Sequence, residues 1–357
     1  MDEDCLKLTA YFGERKRAAD AFIADTLLDV FDRHEVATSI LLRGIEGFGL
    51  KHHLRTDSSL TLSEDLPAVA VAVDTRPRIE VLLDEVAATG GGLITLERAR
   101  MGTGTLEPVA LPEELHEATK LTIYLGRQER VDRRPAFAAV SDLLHRRGLA
   151  GASTFLGVDG TVHGQRERAR FLGRNADVPM MVIAVGSGAR IAEVLPELGG
   201  VLPRPLVTLE RVRVCKRDGE LLQTPHELPS TDEHGLALWQ KLMVYTSEAQ
   251  LHDRQPIHRE LIQRLRKAGA SGATVVRGVW GFHGDHAPHG DRFFQRGRHV
   301  PVLSIAIDTP EKIAAMFPIV DELTAEHGLV TSEMVPALRA AGGEEGRGGL
   351  HLARHRF

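Results

Sequence analysis

Three histidines stand three residues apart in "FHGDHAPHGDR": His283, His286 and His289, with Asp285 and Asp291 among them. Neutral imidazole and carboxylate are ordinary ligands for zinc, copper or nickel, so this run is the candidate site for a divalent metal. Pro288 and the glycines beside it do not preset a tetrahedral cage. The plainer reading is a soluble His-rich loop in a chain with 17 histidines. Such a loop can also respond to pH, since imidazole titrates near neutrality. His52, His53 and His163 lie in two comparable stretches.

A second chemistry is anion binding. Glycine lets backbone N–H groups approach an anion, and a neighbouring arginine adds charge and a donor fork. Arg43-Gly44 in "LLRGIEGFG" and Arg277-Gly278 in "VVRGVWGFHG" have that composition. Gly47, Gly49, Gly281 and Gly284 extend the candidate set, as do Gly157 and Gly160 in "FLGVDGTVHG", where Leu156 stands in place of the arginine. Gly90, Gly91 and Gly92 in "ATGGGLITLE" form a second candidate cradle. The competing readings are a loop that begins with glycine and, for Gly90–Gly92, a tight helix-to-strand turn.

Covalent or acid–base catalysis has no matching pattern. No Ser-His-Asp, Cys-His or paired-carboxylate arrangement recurs, so the expectation is a non-enzymatic protein. Lys7 and Tyr11, Lys120 and Tyr124, and Lys241 and Tyr245 recur at one spacing, and these are the chain's only tyrosines. Tyrosine on a strand is more often a satisfied core residue than a catalyst, so these pairs are read as structural.

The elements that position these groups come in triplicate. "LKLTAYFGE", "TKLTIYLGR" and "QKLMVYTSE" match; so do "LPAVAVAVD", "VPMMVIAVG" and "VPVLSIAID", and "GLITLERA", "PLVTLERV" and "GLVTSEMV". Tyr11 to Tyr124 and Gly44 to Gly157 are both 113 residues; Tyr124 to Tyr245 and Gly157 to Gly278 are both 121. A shared period is the mark of repeated units. The chain therefore divides into units at 1–101, 119–215 and 236–339. Pro-, Gly- and charge-rich linkers occupy 102–118 and 216–235, and a Gly- and Arg-rich tail at 340–357 is expected to be mobile.

Within a unit a short apolar strand precedes an amphipathic helix, as in "RPAFAAVSDLLHRRG" with Phe137, Val140, Leu143 and Leu144 on one face. Pro135 and Pro256 suit a first helical turn, and Gly148 and Gly269 suit the helix end. Two strands, a second helix and a fourth strand follow. The order βαββαβ predicts an α+β ferredoxin-like unit. The third strands are apolar at nearly every position, so both sheet faces are expected to be buried. Three such sheets can enclose a common core about a pseudo-threefold axis, giving a monomer that acts as a pseudo-trimer.

Composition bounds the rest. The 357 residues are 43% hydrophobic and 26% charged, which is ordinary for globular chains. A net charge of −5 gives no basic excess for nucleic acid. No apolar run is long enough for membrane insertion. Cys5 and Cys215 have no metal spacing and suit a reducing cytoplasm.

The segment Gly269, Gly272, Ala273, Thr274, Val275, Arg277, Gly278, Gly281, Phe282, with its sister copies, resembles the bacterial family known as domain of unknown function 190. That family is similar to the PII signalling proteins and to CutA-type trimers. The resemblance implies a long partner-contacting loop between the second and third strands. It also implies adenine-nucleotide sites (ATP, ADP, AMP or cyclic AMP) in the clefts between units, and regulation of a partner such as a membrane transporter or channel. A cyclic order that faces the third unit's loop base to Gly90–Gly92 would make that cleft the best preserved. The alternatives are a CutA-like metal-binding protein using the His-rich loop, and a ligand-free assembly module.

Overall fold

The computed structural model describes residues 1–50, 52–57, 65–90, 92–107, 111, 118–168, 178–283, 288–290, 300–341 and 347–355. It is an α+β protein with six helices and a large antiparallel sheet among the described residues.

In the first unit, strand Asp2–Gly13 lies between Pro67–Thr75 and Gly92–Thr103, and Thr38–Phe48 flanks Pro67–Thr75. Helices α1 (Ile23–Arg33) and α2 (Arg76–Ala88) connect them. The second unit repeats this with Thr119–Gly126 central, Pro179–Gly186 and Leu206–Arg211 beside it, and Gly151–Leu156 outermost. Its helices are α3 (Ala136–Arg146) and α4 (Gly188–Val201). The third has Trp239–Ser247 central between Pro301–Asp308 and Leu329–Val335, with Ala273–Arg277 outermost. Helices α5 (Ile257–Lys267) and α6 (Pro310–Leu323) complete it.

Local chemistry explains the helix ends. Gly148 and Gly269 close α3 and α5 with φ of 68° and 81°. In the first unit Glu35 takes the same place at φ 49°, a conformation that costs an L-residue about 1–2 kcal/mol. Pro135 and Pro256 sit one residue earlier than the sequence suggests. Each is the N-cap and also the end of a two-residue hairpin, so its fixed φ serves the turn into the helix. On α3, Val140, Leu143 and Leu144 are buried under the sheet as expected. Phe137 is only half-buried and meets Trp280 of the third unit edge-on, with ring centroids 5.9 Å apart.

The apolar third strands are buried on both faces. Three separate clusters lie between a unit's sheet and its helices. A fourth cluster joins Val71 and Val73, Met181 and Ile183, and Leu303 and Ile305, one pair from each unit. That shared core is what the unbroken apolar pattern of those strands required.

The units are joined by strand pairing in a closed cycle. Gly44–Phe48 pairs with Ala273–Val276, Trp280–His283 with Gly151–Thr154, and Asp159–Val162 with Thr38–Leu41. Strand ends close the ring in the other direction: Leu206–Leu209 on Arg100–Thr103, Arg213–Arg217 on Leu329–Ser332, and Ala337–Ala341 on Gly92–Leu96. The stretches read as linkers and tail therefore contribute strand. Residues Arg347–Gly349 add a further strand, and the Ala353 amide donates to the Pro336 carbonyl at 2.8 Å. No described helix is long and apolar enough to cross a membrane.

Candidate functional site

The threefold cycle brings the three repeated lysines to one point. Within each sheet, Lys7 faces Glu97, Lys120 faces Glu210 and Lys241 faces Glu333 on neighbouring strands. Across units, Lys7 bonds Glu210, Lys120 reaches Glu333 at 2.6 Å, and Lys241 reaches Glu97 at 2.5 Å. The same-unit contacts are 3.1 Å for Lys7–Glu97, 3.1 Å for Lys120–Glu210 and 2.8 Å for Lys241–Glu333. Six charges thus alternate around a buried ring of zero net charge.

Burial pushes the Glu97 carboxyl up, but Lys241, Lys7 and Lys120 outweigh it and hold it well below the usual carboxylate range. Glu333 is held down in the same way, chiefly by Lys120 and Lys241 against burial. Burial opposes charge on Lys7 and Lys241, yet their glutamates raise both. On Lys120, the most deeply buried, desolvation prevails and lowers it. Burial also drives Tyr11, Tyr124 and Tyr245 up, so none is a ready proton donor or nucleophile. Carboxylate oxygens of the three glutamates lie within 4.8 Å of one another, but a lysine ammonium bridges each adjacent pair where a cation would otherwise sit. The ring is a registration lock between units.

Most of the sequence-predicted anion set is engaged in packing. An added Cβ would meet Ala273 O at 2.6 Å from Gly47, Ser39 O at 2.3 Å from Gly160, and Ala152 O at 2.3 Å from Gly281. These glycines admit the neighbouring unit's backbone. Gly157 and Gly278 donate their amides to Pro179 and Pro301 at 2.8 and 2.7 Å, and Gly44 lies against Pro67 and Val275. Arg43 is paired with Glu14 at 2.6 Å. Arg277 is paired with Glu248 at 2.7 Å and faces Asp57 at 3.5 Å. Gly91, Gly284 and His286 lie outside the described residues. His283 and His289 fall on strands, opposite Gly151 and Gly281, and their side chains lie outside the described set. His163 approaches Glu129 at 3.6 Å.

A cavity of about 270 Å³ opens between the first and third units. Of the predicted residues, Gly47, Gly49 and Gly92 line it; Arg43, Gly44, Gly90, Gly157, Gly160, Arg277, Gly278 and Gly281 do not. The expected pairing of the third unit's loop base with Gly90–Gly92 is replaced. The first unit's own strand end at Gly47–Gly49 faces the third unit's Ser271–Thr274, and the third unit's loop base packs on the second unit. The floor is apolar: Trp239, Ile305, Ile307, Leu338 and Ala340 are buried there. Around the opening stand Lys16, His53, Arg55 and Arg347, with Arg55 held to Asp65 at 3.1 Å. No acidic side chain lines it among the described residues.

The equivalent cleft between the third and second units holds only about 20 Å³. There Arg217 pairs opposite Leu329, the place that Ala340 takes opposite Leu93. Arg217 and Asp218 line that smaller cleft. The sequence signal for the difference is therefore small residues against large ones just after the repeats.

Beside the cavity, Glu46 is buried opposite Val275. Burial pushes its carboxyl up to about 7, against Arg259 and with help from Asp57. Across the same interface His258 is brought down to about 4 by burial, with Arg259 and Arg277 adding to the shift.

The chain matches, over residues 5–101, 118–214 and 239–337, the family named domain of unknown function 190 and described as an uncharacterized ACR. It is 31% identical over 98 residues to a "UPF0166 protein" of Aquifex aeolicus (strain VF5), spanning 27% of this chain and 90% of that protein. Among solved structures it aligns with an aspartate kinase from Synechocystis at 12% identity and a TM-score of 0.25. That alignment covers 96% of this chain and 45% of the kinase, and at such a score it carries no argument.

Proposed function

Because the chain belongs to the domain of unknown function 190 family in three tandem copies, we propose that it works as a PII-like regulatory protein. Three ferredoxin-like units act as one intramolecular pseudo-trimer. A small anionic ligand, an adenine nucleotide, binds in the cleft between the first and third units. The reading is non-enzymatic and cytoplasmic; Cys5 and Cys215 are buried thiols not joined in a disulfide, which suits a reducing compartment.

The observation that carries this reading is the cavity of about 270 Å³ with an apolar floor and a cationic opening. Ligand sites combine apolar walls with a few placed polar groups and usually span ~300–1,000 Å³, so this one suits a compact ligand. A purine ring has the flat apolar body for the floor, and its phosphate suits Lys16, Arg55 and Arg347. The ligand would touch Gly47–Gly49 at the strand end, and His53 and Arg55 beyond it. Its differential affinity for arrangements of that segment would shift their populations and alter contact with a partner, such as a transporter or channel.

The test is thermal stabilisation of the purified chain by ATP, ADP, AMP and cyclic AMP, with zinc and copper salts alongside. Stabilisation by a nucleotide supports the reading. No shift with any nucleotide at millimolar concentration overturns it, and a shift with metal alone transfers the case to metal binding.

A further inference from the structure

The cavity is not built from the three repeats alone. Leu338, Ala340, Ala341 and Arg347 follow Ala337, where the third family match ends. Ala340 lies opposite Leu93 on one side and Arg347 on the other, so the added strands form a continuous wall with the first unit. Gly348, at φ +72°, lies against Trp239; a Cβ there would approach the indole to 3.3 Å. Trp239 itself has no aromatic counterpart: with Lys7, Lys120 and Lys241 aligned, Cys5 and Ala118 stand in its place. The open cleft thus differs from the smaller one in an aromatic floor and in a wall of small residues, Ala340 and Ala341 where the other has Arg217 and Asp218.

The charges differ as well. Arg55 is neutralised by Asp65. Arg347 is exposed, lines the cavity, and pairs with no acidic side chain among the described residues. A guanidinium fork matches a phosphate or carboxylate in bidentate fashion. The volume is below that of most ligand pockets, and Arg347 presents its fork on the wall strand that follows the third unit. This limits the ligand to a flat body with one compact anionic group.

Building on the proposed nucleotide site, we infer that Arg347 and Trp239 make it selective for a nucleoside carrying one phosphate over a nucleoside triphosphate. Trp239 supplies the apolar surface under the flat body. Arg347 holds the single phosphate at the edge. A triphosphate would extend further charge beyond the fork, toward Arg55, which Asp65 already holds.

The test is calorimetric titration of the full chain with AMP, ATP, adenosine and inorganic phosphate, repeated on Arg347→Ala and Arg347→Lys. AMP is expected to bind at least tenfold more tightly than each of the other three. Arg347→Ala is expected to weaken AMP about ten- to a hundredfold and leave adenosine within about twofold. Arg347→Lys should recover part of the loss, and because Arg347 is exposed, the melting temperature should hold in both variants. ATP binding as tightly as AMP, or Arg347→Ala binding AMP within twofold of the parent chain, overturns this inference and leaves the nucleotide site standing. Failure of all four compounds to bind overturns both.

Discussion

Lys120 and Glu333 stand 2.6 Å apart in the interior of the protein, 213 positions distant in sequence and on different units. Equivalent contacts join Lys241 to Glu97 and Lys7 to Glu210. Desolvation makes a buried pair a poor source of net stability, but removing one partner strands a charge. The ring therefore specifies how three similar units meet more than it adds to their stability.

A double-mutant cycle tests this at Lys120 and Glu333. Lys120→Met should destabilise by about 3–5 kcal/mol, since Glu333 and Glu210 each lose a bonded ammonium. The double change Lys120→Met with Glu333→Leu should cost clearly less than the two single losses combined. Chemical denaturation of the four chains supplies the comparison, and simple additivity would contradict the ring.

The first-to-third interface should weaken as pH rises toward neutrality. Glu46, raised to about 7 by burial, binds its proton more tightly folded than unfolded. Stability from this group is then fully present below about 4.5 and is lost progressively up to about 7, by at most about 3 kcal/mol. His258, held near 4, works in the opposite sense over roughly pH 4 to 6.5, because its neutral form is the buried one. Glu46→Gln should remove the first slope and leave the second. Stability measured from pH 5 to 8 decides it: an unchanged slope in Glu46→Gln would contradict the assignment.

Two cavity glycines should behave differently. Gly92 has φ +90°, and a Cβ there would come within 1.9 Å of the Tyr11 carbonyl, so Gly92→Ala should cost about 2 kcal/mol or more. Gly49 has open space around it, so Gly49→Ala should change stability by less than about 0.5 kcal/mol. Melting curves of the two variants provide the check.

Much of this was legible in the sequence because the repeats reinforce one another. The third strands announced burial on both faces, and the shared core explains why Val71, Met181 and Ile305 are all apolar. The recurring lysines marked a structural point, although the glutamates of "TLER" and "SEMV" that complete it recur just as regularly and were the available signal. The glycines were harder to read. Gly47 and Gly281 look alike in sequence, and both admit a neighbour's carbonyl, yet Gly47 lines the open cavity and Gly281 does not. That distinction depends on Arg217 and Ala340, which occupy equivalent register positions on strands outside the repeated core. Strand pairing between units, which single-unit periodicity does not encode, determines it.

The most direct measurement is calorimetric stoichiometry with AMP on the full chain and on Ala340→Leu. One open cleft predicts one molecule per chain, lost or weakened at least tenfold when a leucine side chain fills the wall at 340. Three equivalent sites per chain, or unchanged binding in Ala340→Leu, would contradict the assignment of the ligand to the cavity between the first and third units.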